Sequence, residues 1–179
     1  MKILVTGHAR HGKDTVCEIM RDLFGLTFCS SSKLALDLGV IEPYLAELGI
    51  YYSGSAAAFD DRAAHRAAWH DAIRAYNTPD PARLGRELFA QHNVYCGIRN
   101  REEFVAIKAA KLFDVSVWVD RSGRCPSEPY TSMQIRREDC DLLIDNNSTL
   151  VGLKLRTMAM LRDAKMLCGS KIYLQQPAD

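Results

Sequence analysis

The sequence predicts an α/β fold, a five-stranded parallel sheet covered by helices on both faces, and three observations carry that expectation. A short apolar run, Ile3-Leu4-Val5-Thr6, passes through Gly7 into Gly12-Lys13 and then into a helical pattern. Strand-like and helix-like segments then alternate five times along the chain, the signature of parallel strands joined by helical crossovers. The 179 residues suffice for one substantial core and are too few for two ordinary domains. One domain is therefore expected over 1–179, with a helical insertion at about 33–91 and a lid loop at about 121–137. Right-handed crossovers put the functional loops at the C-terminal edge of the strands.

The first strand is β-branched and apolar enough to be buried, and Gly7 lets the backbone leave it sharply. Behind it, Asp14 opens a helix whose Val16, Cys17, Ile19, Met20 and Leu23 recur at three- and four-residue spacing, until Gly25 stops the run. In that order, the backbone N–H groups of His8, Ala9, Arg10, His11, Gly12 and Lys13 can curl round a phosphate. The helix dipole and the Lys13 ammonium face the same anion. A nucleotide-phosphate cradle is expected over Gly7 to Thr15. The hydroxyl residue that usually follows the lysine and sits on Mg²⁺ is Asp14 here, with Thr15 next. A carboxylate is a stronger hard-cation ligand, so Asp14 is the candidate metal ligand; the other reading is a favourable charge in the first helical turn.

Composition is that of a globular chain, with 47% hydrophobic and 25% charged residues. A formal charge of +1 neither requires nor excludes a nucleic-acid partner. The six cysteines form no C-x-x-C pair and no zinc spacing, which predicts free thiols in a reducing cytoplasm. No apolar run reaches membrane-spanning length, so a soluble, cytoplasmic protein without a membrane partner is expected.

Further along, residues 26–29 form a short strand candidate running into Ser30-Ser31-Ser32. Those hydroxyls read as a helix cap at Ser31 or Ser32, or else as ligand contacts. A helix through Leu34, Leu36 and Leu38 and a second over 43–48 follow. Residues 59–76 read as one long helix, with Ala63, Ala67, Trp69, Ile73 and Tyr76 on one face and Arg62, His65, Arg66 and Arg74 on the other. That basic face is either a solvated surface or a ligand site. A helix over 82–91 displays Arg83 and Arg86, and the whole region is a natural place for acceptor binding. The third strand, 93–98, ends in Gly97-Ile98 where many phosphate-loop proteins place an acid that assists the metal; the missing carboxylate and the added Asp14 read as linked. A fourth strand, 115–120, leads into a loop with Gly123, Pro126 and Pro129 between and beyond Arg121 and Arg124, able to close over a ligand. A fifth strand, 142–145, precedes Asn146-Asn147-Ser148-Thr149, the cap of a last helix over 150–167. One edge strand is expected at 171–174.

The Gly12-Lys13-Asp14-Thr15 loop, the segment from Gly97 to Phe104, and Asp141 to Asn146 followed by Ser148-Thr149-Leu150 resemble bacteriophage deoxynucleoside monophosphate kinases and their relatives. Those relatives include kinases that phosphorylate 5-hydroxymethyl-deoxyuridine within phage DNA. The resemblance implies a P-loop kinase fold, ATP and Mg²⁺, and a helical insertion receiving the acceptor. It also implies that Gly12, Lys13, Asp14 and Thr15 bind ATP phosphates and metal, that Arg99 sits on the acceptor side, that Arg121 and Arg124 lie in the lid, and that the Asn146 region lies near the adenine. Free-nucleotide relatives tend to carry a His-x-Ser-Glu-like segment after the lid, where this chain reads Tyr130-Thr131-Ser132-Met133.

Acceptor chemistry separates the two readings. A monophosphate offers an anionic oxygen and needs arginine clamps but no general base. A hydroxymethyl group is a neutral alcohol and calls for a carboxylate within reach, for which Asp37 is the candidate and Asp60 or Asp61 the alternative. DNA as acceptor would also use the basic series Arg62, Arg66, Arg74, Arg83, Arg86, Arg99 and Arg101, with Ser31 on the acceptor side. The sequence leans to the hydroxymethyl-deoxyuridine DNA kinase of a phage, acting in the host cytoplasm, with the monophosphate kinase as the alternative. A non-catalytic nucleotide-binding module is the reading from another class.

Overall fold

A computed structural model describes residues 1–168; the edge strand expected at 171–174 lies outside them. Five strands, β1 (Ile3–Thr6), β2 (Phe28–Ser30), β3 (Val94–Cys96), β4 (Val115–Asp120) and β5 (Leu142–Asp145), form one sheet in the order β2-β3-β1-β4-β5. Every pairing is parallel, and β1 lies at the centre, with Ile3 opposite Val94 on one side and Val115 on the other. A strand buried on both faces should be apolar throughout, and all four residues of β1 are buried.

Side-chain alternation along the strands divides the core in two. Ile3, Val5, Val94, Val117 and Ile144 face α1 (Lys13–Phe24) and α8 (Leu150–Cys168), where Val16, Met20, Leu153 and Leu161 complete the layer. Leu4, Tyr95 and Trp118 face the other way, onto Leu84 and Leu88 of α6 (Arg83–Gln91) and Phe104 and Ile107 of α7 (Arg101–Ala109). Between β2 and β3 the chain adds α2 (Ser31–Asp37), α3 (Glu42–Glu47), α4 (Ser55–Asp60) and α5 (Arg66–Tyr76). These close over their own cluster of Leu36, Ile41, Leu45, Ala58, Trp69 and Ala72.

Two local expectations are corrected. The helix read over 59–76 is broken: α4 ends at Asp60, a 3₁₀ turn covers Asp61–Ala63, and α5 starts at Arg66. Asp61 accepts a hydrogen bond from the Tyr52 hydroxyl at 2.7 Å and meets His65 Nε2 at 3.4 Å. Arg62 meanwhile donates to the Phe59 carbonyl at 2.6 Å, so polar side chains compete with helical continuation at that point. The cap of α2 is Ser30, whose hydroxyl accepts from the Lys33 N–H at 3.1 Å, in place of Ser31 or Ser32. Among the described residues no disulfide is present, and no helix is long and apolar enough to cross a membrane.

Candidate active site

The loop from Gly7 to Gly12 leaves the C-terminal end of the central strand. Gly7 has φ 144°, and a Cβ there would collide with the Val119 carbonyl oxygen of β4. Arg10 and Gly12 also have positive φ, 63° and 92°, which bends the backbone into a cradle. Two fastenings hold it. Buried His11 accepts the Arg121 N–H on Nδ1 at 2.9 Å, and its carbonyl accepts from the Asn146 side-chain amide at 2.9 Å. A side chain at Gly12 would run into that same amide. Asn146, expected near adenine, therefore braces the loop.

Lys13 opens α1 and is only 8% exposed; its ammonium crosses the loop to the His8 carbonyl at 2.7 Å. Burial, then the nearby Arg99, pull its pKa down from the usual lysine range. Asp14 projects to the surface beside it, and Oδ1 receives the Cys96 thiol at 3.4 Å. Cys96 ends β3, so the Asp14 carboxylate lies at the tip of the strand that lacks an acid of its own. Among the described residues no group of three or more His, Cys, Asp and Glu side chains could cage a metal. Next to a backbone loop shaped to take an anion, an exposed carboxylate such as Asp14 would suit Mg²⁺, which keeps much of its water and takes remaining ligands from phosphates.

Beside the loop, three segments converge on one carboxylate carried by a fourth. Glu128, in the connection between β4 and β5, accepts the Ala9 N–H at 2.6 Å and Arg99 Nη1 on both oxygens at 2.8 and 2.9 Å. Arg66 of α5 reaches the same group at 3.1 Å. The Glu128 N–H also donates to His8 Nδ1 at 3.1 Å, while the His8 ring sits edge-on to Trp118 and His11, each with centroids 5.2 Å away. Burial opposes ionisation of Glu128, but its bonds to Arg99 and to the Ala9 N–H outweigh burial and hold its pKa below the usual glutamate range. A cavity of about 420 Å³ opens beside this cluster, lined by His8, Trp118, Glu128, Tyr130, Met133 and Arg136.

Arg66 and Arg99 are thus brought together, and the other predicted residues disperse. Arg62 stacks on Phe59 at 3.8 Å, Arg74 pairs with Asp71 at 3.5 Å, and Arg101 pairs with Asp139 at 2.8 Å. Arg83 packs over Tyr76 at 3.9 Å, and Arg86 pairs with Asp80. Ser31 is the first residue of α2. Asp37 pairs with Lys33 one turn earlier on α2, in place of any group of the phosphate loop. Asp61 is engaged by Tyr52 and His65, and Asp60 is exposed at the end of α4. Arg121 reaches the loop through its backbone, and its Nε is buried without a partner; Arg124 lies exposed in the turn behind it.

Glu128 went unread in the sequence, as did the His8–Trp118 contact. A signal existed: an acid between Pro126 and Pro129, in a loop bounded by arginines, is placed to meet whatever the loop closes on.

No protein-family model matches the sequence, and no curated protein matches it. Among solved structures, a sugar kinase from Janibacter sp. HTCC2649, unliganded, is similar with a TM-score of 0.51 and 14% identity, over 93% of this chain and 97% of that one. A gluconokinase from Sinorhizobium meliloti 1021 gives 0.48 and 18%, over 93% and 94%, and a shikimate kinase from Aquifex aeolicus 0.46 and 16%, over 93% and 99%. The first likeness, with the parallel β2-β3-β1-β4-β5 sheet and the glycine loop at its centre, shows that the chain shares the α/β fold of that sugar kinase.

Proposed function

We propose that the protein is an ATP-dependent phosphotransferase whose acceptor is a free deoxynucleoside monophosphate. The observation that carries the acceptor is the convergence of Arg66 and Arg99 on one carboxylate at the mouth of the phosphate loop, 2.8 to 3.1 Å from its oxygens. Two guanidinium groups from different elements aimed at one anion form a clamp for a phosphate, the group a monophosphate presents. The N–H groups of the loop and the Lys13 ammonium hold the β- and γ-phosphates of ATP, with Arg121 and Arg124 at the lid side. Mg²⁺, held through Asp14, would neutralise charge on those phosphates. An oxygen of the acceptor phosphate attacks the γ-phosphorus, the bond to the β–γ bridging oxygen breaks, and its electron pair leaves with ADP. No proton has to be removed from that acceptor, in keeping with Asp37 and Asp61 being engaged elsewhere.

The hydroxymethyl-deoxyuridine DNA kinase, the reading the sequence leans to, needs a base and a continuous basic track. Glu128 reaches the loop but is held by two arginines, Asp120 stands 3.9 Å from His11 Nδ1, and Arg62, Arg74, Arg83, Arg86 and Arg101 have local partners. Labelled ATP offered in parallel with free dNMPs, plain DNA and DNA containing hydroxymethyl-deoxyuridine tests the choice. Label is expected on a dNMP. Label on hydroxymethylated DNA alone would restore the DNA kinase, and label on no acceptor would leave a nucleotide-binding module.

A further inference from the structure

We infer that the cavity beside the arginine clamp receives the nucleobase of the acceptor, and that Tyr130 is the residue on which the base stacks. The inference rests on the monophosphate reading above and extends it from the phosphate to the heteroaromatic end of the same substrate.

Glu128 belongs to both places: its carboxylate is held by Arg66 and Arg99, and it lines the cavity of about 420 Å³. In a mononucleotide only one sugar separates phosphate from base, so a phosphate in the clamp leaves its base to be housed next door. The volume falls within the roughly 300 to 1,000 Å³ usual for small-molecule sites. A second cavity, of about 580 Å³, is also bordered by Tyr130, but neither a residue of the clamp nor one of the phosphate loop lines it.

The lining suits a flat, weakly polar ring. Trp118 of β4, with Met133 and Ile135 from the connection between β4 and β5, makes an apolar floor, each of them buried. His8 ties that floor to the phosphate loop: its ring is edge-on to Trp118, and its Nδ1 accepts the Glu128 N–H at 3.1 Å. Tyr130 stands at the rim, 55% exposed, with the Arg136 guanidinium 5.7 Å from its ring centre. The core therefore makes little use of this tyrosine, and its ring is available to a ligand. Aromatic side chains hold bases through their π-faces, a contact open to every base and absent from a sugar phosphate.

The experiment measures dissociation constants of the four dNMPs, of deoxyribose 5-phosphate, which keeps phosphate and sugar but has no base, and of Mg·ATP. The proteins are the parent, Tyr130→Ala and Tyr130→Phe, with melting curves confirming that each is folded. The parent is expected to prefer its best dNMP to deoxyribose 5-phosphate by about tenfold or more, the scale of one base-aromatic stack. Tyr130→Ala should lose that preference by weakening the dNMP alone, Tyr130→Phe should keep it, and ATP should stay within about twofold throughout. A parent without the preference, a preference unchanged in Tyr130→Ala, or an equal loss for dNMP and sugar phosphate would overturn the inference and leave the monophosphate reading standing. A parent that binds neither dNMP nor deoxyribose 5-phosphate would overturn the monophosphate reading, and the inference with it.

Discussion

Lys13 keeps a charge in a nearly dry place by bonding the carbonyl of its own loop, which makes it available to ligand and of little use to the core. Lys13→Ala is therefore expected to leave the melting temperature near that of the parent while lowering kcat/KM by about 10³-fold or more, the scale on which losing a transition-state charge contact acts. Steady-state rates beside thermal melts check it; unchanged turnover would refute the kinase. A second residue makes the opposite case. Glu103 of α7 is buried on the Tyr95 hydroxyl at 2.5 Å, and burial raises its pKa to about 7. The folded protein then holds that proton more tightly than the unfolded chain, so the contribution is fully present below the unfolded pKa and is lost as pH rises through about 7. Glu103→Gln should match the parent near pH 4.5 and exceed it at pH 8 by on the order of 3 kcal/mol, measured by urea unfolding at both pH values. The turn through Gly7 and Gly12 into a helix opening at Lys13 was legible in the sequence because a tight loop is specified largely by near neighbours. Glu103 and Glu128 were not, since what defines them comes from Tyr95, Arg66, Arg99 and Ala9 through tertiary folding.

Elements were legible where burial is uniform. The apolar runs of β1 and β4 have nowhere to go but a sheet, and Gly25, in the left-handed region, closes α1 as its sequence requires. The insertion was read less well, because its apolar spacing continues across 59–76 while Tyr52, from outside the segment, takes Asp61 and helps to split it. The split sets where α5 begins, and so where Arg66 stands. Trp69, 4% exposed and edge-on to Phe59 at 6.3 Å, fixes α5 in the satellite cluster. Trp69→Ala is expected to cost about 3 to 4 kcal/mol of stability and to raise the acceptor KM more than the ATP Kd, since the helix it anchors carries Arg66 and the cradle stands on another face. Melting curves with KM and Kd side by side decide it; an equal loss in both would mean that insertion and cradle move as one.

At the scale of the molecule, alternating strands and helices foretell a parallel sheet but leave the order of strands open, because order depends on which edge each crossover reaches. The position of β1 between β3 and β4 became visible only in the fold. Charge is similarly deceptive: 23 basic and 22 acidic residues give a net +1, and most arginines of the basic series are answered locally. A mononucleotide acceptor then predicts that kcat/KM changes by less than about tenfold between 50 and 200 mM salt, against the roughly 10³- to 10⁵-fold loss expected of a protein that grips six to ten DNA phosphates. Rates across a salt series measure this directly, and a steep slope would return the DNA kinase.

The central place of β1 also bears on how the chain is made. Its four residues precede those of every other strand, yet Ile3 has no strand beside it until Val94 and then Val115 have been synthesised. Gly7 is shaped against Val119, so the cradle has no mould before β4 exists. This hydrophobic strand must therefore wait until β4 has been made, and the satellite cluster of α2 to α5, whose residues lie nearer one another in the chain, can condense ahead of it. Nascent chains halted before residue 115 are accordingly expected to bury the insertion while leaving the first strand open to chaperones, and to gain the cradle only once β4 has cleared the exit tunnel.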